Sequence, residues 1–398
     1  MKKSNLLIFF AIIAIILGFT FSTNKTTTKD NELVFWTLQM RDFSQYMENV
    51  IQKFETQNPE IKIKWVDVPF SEGEKRTLAS ILSNNPPDLI NLNPDFSALL
   101  AEKGTLLEID DKSLTQFSPQ IISSLKIKNK NFLIPWYATS AITFSNTQQA
   151  PKTYNEILNI CQTHATKPLI MFNFSENDSM LKLLNKYGIT TASEITSKTA
   201  IDLYKSLQIA YNNGCFPKES LTQTHRESLE KFMAGEISYF EGGANFLNII
   251  KENAPNTYKN ITLSSQLVGK TPKYNFSIMN FVIPTKSKKQ DEALKFALFL
   301  TNEENQLELG KLTNVIATNK STLNNPFYTI ANNNDLSAKA RILSAKQLKN
   351  IQQQQPYYKN RKELITLINN ATQEILLNKN TIENVLTNLQ ADWLKLNQ

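Results

Sequence analysis

The side chains in this sequence that could bind a metal ion or act as a nucleophile are few. Cys161 and His164, together with Cys215 and His225, would offer the sulfur and nitrogen ligands that tetrahedral zinc takes. The later pair has nine intervening residues and fits no zinc-finger spacing. We therefore expect no metal site, with Cys161 on a helix and the histidine side chains in solvent.

Catalytic motifs are absent from the sequence. It contains no H-E-x-x-H, no G-x-S-x-G, no G-x-x-x-x-G-K and no G-x-G-x-x-G pattern. Adjacent acidic pairs at 110–111 and 303–304 are interpreted as loop or helix-end charges. Two carboxylates distant in sequence can act together in a glycosidase. A secreted carbohydrate-active enzyme therefore stays an alternative to the non-catalytic, cofactor-free protein that we expect.

Composition and charge exclude several further classes of protein. Hydrophobic residues make up 41% of the 398 residues, which is enough to bury a core and excludes a disordered chain. With 10 glycines and 2 cysteines, the chain is neither collagen-like nor a disulfide framework. The net charge of +7 is spread without a long run of like charges, so we expect no nucleic-acid partner.

The N-terminus has the pattern of an export signal. Lys2 and Lys3 precede an uncharged, mainly apolar stretch at 6–21. A membrane-spanning helix needs about twenty apolar residues, whereas a secretory signal needs about 7–15. We expect residues 1–24 to be a signal peptide or a retained N-terminal anchor, with the chain in the periplasm or on the outer face of the cytoplasmic membrane. Export would permit a disulfide between Cys161 and Cys215, but their spacing does not decide it.

Alternating strand and helix patterns predict an α/β fold. Short apolar, β-prone runs predict strands at 33–36, 61–68, 89–92, 169–172, 238–240 and 281–284. Apolar spacing and end signals predict helices at 43–54, at 71–83, after a capping box at 153–156, at 291–300 and from 335 onward. Because strands and helices alternate between residues 32 and 110, we expect mainly parallel sheets with helices on both faces.

Seven segments, in order along the chain, together resemble bacterial ABC-transporter solute-binding proteins for sugars. They lie at 33–37, 51–63, 85–90, 133–137, 151–157, 232–243 and 283–299. Residues 171–173 followed by Glu176 are similar to the maltose-binding branch of that family. Leu92 and Ala244 stand where such relatives tend to have aromatic residues, which disfavours a long maltooligosaccharide as the ligand.

The resemblance implies a two-lobed, periplasmic-binding-protein-like fold of type II, with hinge crossovers between two α/β lobes. The N-lobe would comprise 30–140 plus 272–312, and the C-lobe 141–271 plus 313–398. A mono- or oligosaccharide would bind in the cleft between the lobes, and hinge closure would follow. The permease subunits of an ABC importer would sense the closed form, and we expect a monomer without catalytic activity.

Loops next to the predicted strands carry side chains suited to a carbohydrate ligand. Sugars present hydroxyl groups and apolar C–H faces. A site for them therefore needs aromatic rings and polar side chains that can form paired hydrogen bonds. The candidate ligand contacts are Thr37, Gln39, Arg41, Asn93, Asp95, Trp136, Tyr137, Asn173, Glu176, Glu241, Asn245, Phe246, Met279, Asn280, Tyr357, Tyr358 and Arg361. We expect Trp136→Ala to weaken sugar binding and to leave the fold intact, whereas Trp36 is expected in the core.

Other ligands stay open at this point. Arg41 and Arg361 could face the phosphate of a glycerophosphodiester, whereas Asp95, Glu176 and Glu241 could face the ammonium groups of a polyamine. A sensor with an inactive cleft that contacts a membrane partner is a further alternative. A thermal-shift screen for stabilisation by a sugar without turnover distinguishes these alternatives.

Overall fold

The computed structural model describes residues 31–163, 167–174, 178–331, 335–349, 351, 358 and 360–396. The predicted export signal at 1–24 lies outside the described residues, as do His164 and the candidate contacts Glu176 and Tyr357. Within the described ranges, no helix combines the length and the hydropathy that a membrane span requires.

Strands and helices alternate through most of the described chain. The strands are β1 (Glu32–Leu38), β2 (Lys62–Val68), β3 (Leu89–Leu92), β4 (Ile134–Ser145), β5 (Tyr239–Gly243), β6 (Thr262–Ser265), β7 (Phe276–Val282) and β8 (Ile316–Ala317). The helices are α1 (Ser44–Gln57), α2 (Phe70–Leu82), α3 (Pro94–Glu102), α4 (Pro119–Leu125), α5 (Tyr154–Ile160), α6 (Ser179–Lys186), α7 (Lys198–Asn212), α8 (His225–Met233), α9 (Phe246–Asn253), α10 (Pro255–Asn260), α11 (Gln290–Leu300), α12 (Glu303–Leu312), α13 (Pro326–Thr329), α14 (Leu336–Lys349), α15 (Arg361–Leu376) and α16 (Ile382–Leu396). Short 3-10 helices occupy Arg41–Phe43, Ala192–Glu194, Lys218–Leu221 and Thr322–Asn324.

The strands form two sheets that share β4. In the first sheet β1 is parallel to both β2 and β3, and β7 pairs antiparallel with β3 and β4. β8 pairs with β4 in the same sheet. β4 pairs with β7 as far as Ser140, and beyond that residue it pairs with β5 and β6 of the second sheet. One continuous strand therefore joins the sheets, and its partners change at residues 140–141.

The expectation of mainly parallel sheets holds only for β1, β2 and β3. The ladders that β4 forms with β5, β6, β7 and β8 are antiparallel. β4 carries the chain out of the first sheet and β7 carries it back. β4 and β7 are neighbours that run in opposite directions, so they pair antiparallel. The predicted parallel direction is therefore wrong for them.

The predicted strand at 169–172 is not a regular strand. Ile170 forms a single parallel bridge to Tyr239. The backbone N–H of Leu169 donates to Cys215, whereas its carbonyl accepts from Ser238 and Tyr239. Because the backbone groups of this segment bond to two different parts of the chain, they do not extend into one ladder.

Helices cover both faces of the first sheet, as the alternation of elements predicts. On one face, the ring of Phe35 meets Phe281 and Phe296 edge-on, with centroids 5.7 and 5.3 Å apart. Trp36, the next residue of β1, packs against the core on the opposite face with Leu92. This alternation is the two-residue period of a strand that is buried on both sides.

The segment that follows α12 packs with the first sheet. The C-lobe was expected to resume at residue 313, but Ile316 and Tyr328 are buried in the core of the first sheet. The reason is that β8 pairs with β4 and holds this segment there. α14 then contacts both cores, because Ala340 packs in a core of the second sheet and Leu348 packs in the first-sheet core.

Cys161 and Cys215 form a disulfide, and their Cα atoms are 5.6 Å apart. Both residues are fully buried in the lobe that contains the second sheet, which we call the second lobe. Cys161 follows α5 and Cys215 follows α7, so the bond ties the ends of two helices together. Since the two sulfur atoms bond to each other, neither is a thiolate ligand, and the zinc alternative loses half of its donors.

Removing the disulfide is expected to destabilise the protein. The bond closes a segment between cysteines 54 positions apart, and loop-closure entropy of that length is worth about 4 kcal/mol. Cys161→Ala/Cys215→Ala should therefore lose up to about 4 kcal/mol of unfolding free energy in urea denaturation. Dithiothreitol should lower the wild-type midpoint and leave that of the double variant unchanged. Equal midpoints for the two proteins without reductant would contradict this expectation.

Candidate functional site

A cavity of 470 Å³ lies where the chain passes between the two sheets. Thr139 and Ser140 of β4 and Phe276 and Ser277 of β7 border it on the side of the first sheet. The second lobe contributes Tyr154, residues 170–174, Ser179, Met180, Lys182, Leu183, Lys186, His225, Ser228, Glu241, Gly243, Asn245 and Gln266. The cavity therefore draws on both lobes at their junction.

Aromatic rings form one wall of the cavity. Tyr154, the first residue of α5, packs against Phe172 with ring centroids 5.5 Å apart, and Phe172 packs edge-on against Phe216 at 4.9 Å. Thr153 sets the start of α5, because its hydroxyl accepts a backbone N–H of the first turn. Phe172 and Phe276 are only half-buried, so they retain ring surface of the kind that apolar C–H groups contact.

Glu241 is held by donors from two segments of the second lobe. The Tyr154 hydroxyl donates to Glu241 Oε2 at 2.6 Å, and the Leu267 backbone N–H donates to Oε1 at 2.8 Å. Burial, and secondarily the Glu241 carboxylate, raises the pKa of the Tyr154 phenol well above its usual 10. Tyr154 therefore stays a proton donor, and its hydroxyl fixes the orientation of the carboxylate.

Lys186 brings a buried cation to the same wall. Its Nζ donates to Gln266 Oε1 at 2.8 Å and to the Leu267 carbonyl, and it lies 5.1 Å from the centroid of the Tyr154 ring. Burial lowers the pKa of Lys186 to about 8, although the negative charge of Glu241 opposes this shift. The protonation state of Lys186 is therefore sensitive to small changes in its surroundings.

Two further polar side chains hold the loops around the cavity. His225 Nε2 lies 2.6 Å from the Glu241 carbonyl, and its ring packs against Phe240 at 4.8 Å. Asn173 donates from Nδ2 to the Gln223 carbonyl at 2.9 Å. These bonds connect the segment at 170–174 and the start of α8 to the second sheet, and so define the shape of the wall.

Two buried glutamines connect the cavity to the junction of the lobes. Gln347 of α14 donates from Nε2 to Ser140 Oγ and to the Ala141 carbonyl, each at 3.0 Å. Its Oε1 accepts the backbone N–H of Gln266. Gln266 Oε1 in turn accepts from Lys186 and from the backbone N–H of Asn275. We call Gln266 and Gln347 the junction amides, since they bond to residues 140–141, where β4 passes between the sheets, and to Asn275, just before β7.

A smaller depression of 160 Å³ adjoins the cavity and shares Lys182, Phe276 and Ser277 with it. At this depression an arginine of the second lobe meets an aspartate of the first. Arg361 Nε lies 3.2 Å from Asp95 Oδ2, and the same guanidinium donates to Asp178. The candidate contacts Asp95 and Arg361 therefore pair with each other across the boundary of the lobes.

The charges that line the cavity and the depression are paired within the protein. Lys182 Nζ lies 2.8 Å from Asp178 Oδ1, while Lys186 is attracted by Glu241. Arg361 has two acidic partners. Among the described residues, the site thus combines polar groups and rings without a large excess of either charge.

Of the other candidate contacts, Asn173, Glu241 and Asn245 line the cavity. The remaining described candidates do not line it: they are Thr37, Gln39, Arg41, Asn93, Trp136, Tyr137, Phe246, Met279, Asn280 and Tyr358. Half of these lie within β1, β4 or β7, because the strands are longer than the apolar runs that predict them. These ten residues do not lie at the cavity, and the buried ones among them are corrections to the predicted site.

β1 and β7 show how longer strands remove candidates. β1 extends to Leu38, so Thr37 is fully buried, and its hydroxyl donates to Asp67 Oδ1 at 2.7 Å. β7 begins at Phe276 rather than after Asn280, so the side chain of Asn280 is fully buried and accepts from Ser97. Met279 is buried in the first-sheet core for the same reason.

Trp136 is the main correction. Its side chain is 0% exposed and stacks on Phe281 with centroids 4.6 Å apart. β4 begins at Ile134, so Trp136 lies inside a strand and not in the exposed turn that Pro135 indicates. Tyr137, the next residue, packs against the cores on both faces of the sheet, and burial raises its pKa to about 12.

The other displaced candidates serve local structure. Gln39 and Arg41 are exposed beyond β1, where Gln39 adopts a left-handed backbone with φ of 53°. Asn93 caps α3, and its Oδ1 accepts from the first turn. Phe246 packs on Phe240 with centroids 5.5 Å apart. Tyr358 is buried and donates to Asn185.

Sequence reasoning missed several residues that line the cavity, namely Tyr154, Phe172, Lys186, Gln266 and Phe276. Phe172 stands beside the candidate Asn173, so its position was a usable signal. Tyr154 was visible as the residue after a helix cap and as part of the segment at 151–157 that resembles the family. No pattern in the sequence distinguishes Lys186 or Gln266 from a surface residue.

A family model described as bacterial extracellular solute-binding protein matches residues 38–307 of this chain. A search of curated proteins found no match. The matched region includes β2 to β7 and the residues of both lobes that line the cavity, whereas β8 and all of β1 except Leu38 lie outside it. It therefore covers most of the elements that position the site.

Solved structures show the same fold. A protein assigned as an oligosaccharide periplasmic-binding protein from Synechococcus sp. MITs9220 is 24% identical, with a TM-score of 0.78 over 91% of this chain and 98% of that chain. The extracellular solute-binding protein from Staphylococcus aureus in complex with maltose is 16% identical, with a TM-score of 0.74 over 93% and 98%. A cyclo/maltodextrin-binding protein complexed with maltotetraose is 18% identical, with a TM-score of 0.76 over 93% and 98%. The predicted two-lobed α/β fold is thereby confirmed.

Trp136→Ala is now expected to act on stability instead of on ligand contacts. Removing a fully buried tryptophan that stacks on Phe281 leaves a large cavity, which costs about 3–5 kcal/mol. Urea denaturation should show this loss in the protein without ligand. A variant with wild-type stability that no longer binds ligand would instead restore Trp136 to the site.

Proposed function

Since the chain belongs to the family of bacterial extracellular solute-binding proteins, we propose that it captures a neutral mono- or oligosaccharide at the junction of its lobes and delivers it to the permease of an ABC importer. The observation that carries this proposal is a cavity in which half-buried aromatic rings stand beside internally paired charges. Rings suit the C–H faces of a sugar, and the polar groups suit its hydroxyls.

The pairing of charges favours a neutral ligand. Each lysine at the cavity has an acidic group near it, and the arginine at the depression has two acidic partners. A charged ligand would have to separate these pairs or enter without a counter-charge, and both are costly in a buried site. The glycerophosphodiester and polyamine alternatives therefore have weaker support than a sugar.

The ligands of proteins with the same fold also favour a sugar. The Staphylococcus aureus structure contains maltose, and the cyclo/maltodextrin-binding protein contains maltotetraose. The volume of 470 Å³ suits a small ligand of one or a few rings. Asn173, Glu241 and Asn245 from the predicted set, together with Phe172, are the contacts that we propose for it.

Ligand capture would proceed by closure of the lobes. In this proposal the chain crosses between them at residues 140–141, between β6 and β7, and between α14 and α15. Asp178 already holds Arg361 on the C-lobe, so the guanidinium is oriented before Asp95 of the N-lobe reaches it. An ion pair of this kind stabilises the closed state. The permease would recognise the surface that the two closed lobes form.

The location and the cycle complete the proposal. Membership of an extracellular family implies export. Residues 1–24 would then be either cleaved, which leaves the chain in the periplasm, or kept as an anchor on the outer face of the cytoplasmic membrane. The protein would act as a monomer and release its sugar chemically unchanged.

Neutral sugars are expected to stabilise the protein without being consumed. A panel of glucose, sucrose, maltose and maltotetraose in a thermal-shift assay should include at least one that raises the melting temperature, since ligand at 100 times Kd stabilises a fold by about 2.7 kcal/mol. Putrescine and glycerophosphocholine, as charged probes, should have no such effect. Chromatography should recover the sugar intact after incubation. Stabilisation by a charged probe alone would contradict the sugar assignment, and product formation would favour the enzyme.

Asp95→Asn is expected to weaken ligand affinity modestly. The aspartate side chain is 68% exposed, and an exposed ion pair contributes at most about 1 kcal/mol, so the dissociation constant should rise about two- to fivefold. Asp202→Asn, which removes an exposed pair within α7, serves as the control and should leave affinity unchanged. Calorimetric titration in 0.5 M salt should remove the difference between wild type and Asp95→Asn by screening. Equal affinities of the wild type and Asp95→Asn at low salt would exclude a role of the Asp95–Arg361 pair in closure.

A further inference from the structure

Lys186 occupies an unusual position for a lysine. Its side chain is 2% exposed and lies at the end of α6, against the cavity. An ammonium group has three N–H donors. One can meet Gln266 Oε1 and one the Leu267 carbonyl, and in the part of the chain that the structure describes no third acceptor lies within hydrogen-bond distance.

Burying this charge is costly in free energy. A buried ammonium is normally tolerated only when it is paired and fully hydrogen-bonded. The nearby carboxylate of Glu241 compensates part of the cost, but that carboxylate already accepts from Tyr154 and from Leu267. An apolar side chain of the same length would fill the space without a buried charge. Retaining a cation here is therefore unfavourable for packing alone and is suited to binding.

We propose that Lys186 is a specificity-determining residue of the cavity, and that its remaining N–H donates to a hydroxyl or ring oxygen of the bound sugar. This inference rests on the proposed sugar function. It identifies the side chain that recognises an oxygen of the ligand by a hydrogen bond. Because Glu241 balances the positive charge, the lysine selects a neutral acceptor and not an anion.

The position of the ammonium group is set by the junction amides. Gln266 Oε1 accepts from Lys186, and the Gln266 backbone is held by Gln347. Gln347 is bonded in turn to Ser140 and Ala141 of β4. Gln266 and Gln347 are thus positioning residues, which keep the donor at a constant place relative to the strand that joins the lobes.

The same geometry makes ligand affinity depend on pH. Burial, and then the positive charge of Lys182, lowers the pKa of Lys186 to about 8, while Glu241 acts in the opposite direction. Of the other titratable groups nearby, burial raises the pKa of Tyr187 to about 12 and that of Tyr154 well above 10, and His225 lies against the Glu241 carbonyl. An oxygen that accepts from the ammonium favours its charged form, so affinity should be constant below pH 7 and should fall as pH rises through 8.

The first test is Lys186→Met, which keeps the length of the side chain and removes its donors. Titration with maltose, or with the tightest-binding sugar of the panel, should give a dissociation constant at pH 7 that is about tenfold or more above the wild-type value. Lys198→Met removes an exposed lysine of α7 and should match the wild type. An unchanged affinity in Lys186→Met would overturn the assignment of Lys186 and leave the sugar function standing.

The second test needs no substitution and decides the case if Lys186→Met does not fold. Between pH 7 and 9.5 the wild-type dissociation constant should rise about tenfold, and the rise should be absent in a folded Lys186→Met. A flat wild-type profile, or the same rise in the variant, would overturn the proposal. If no sugar binds the wild type at any pH, the proposed function itself fails, and this inference fails with it.

Discussion

The fold depends on how one strand passes between two sheets without leaving its polar backbone groups unpaired. At residues 140–141 β4 exchanges the β7 ladder for the ladders of the second sheet, and here Gln347 donates to the Ala141 carbonyl and to Ser140. A buried carbonyl without a partner would be costly. Because Gln347 also holds the Gln266 backbone, the bonds that satisfy this crossing also fix one wall of the cavity. Structural requirement and binding geometry are therefore met by the same side chains.

The chemistry of the cavity follows from what surrounds that crossing. α5 brings Tyr154 to Glu241, and α6 brings Lys186 to Gln266, so that an acid, a phenol and a cation are oriented by the wall before any ligand enters. Preorganised donors and acceptors reduce the entropy that binding must overcome. The rings of Phe172 and Phe276 add apolar surface between these groups. A small neutral molecule with many hydroxyls and exposed C–H faces matches this combination.

Much of the fold could be predicted from sequence because it rests on local patterns. Apolar runs and helical spacing predict β1, β2, β3, α1 and α2 close to their observed ends. Strand direction and the place of β8 in the first sheet could not be predicted this way, since they depend on which distant segments β4 meets. The disulfide was left open for the same reason, because the approach of Cys161 to Cys215 is tertiary.

The site was harder to predict than the fold, since loops and strand ends look alike in a sequence. Trp136 follows a proline but lies within β4, and Asn280 lies inside β7. Asp95 and Arg361 were both selected as ligand contacts, yet they pair with each other, which no local pattern reveals. A crystal structure of the protein with its tightest-binding sugar would test the central claim most directly. Our account predicts a sugar ring against Phe172, with an oxygen within about 3 Å of Lys186 Nζ. A sugar bound elsewhere than in this cavity, or one that contacts neither Phe172 nor Lys186, would contradict it.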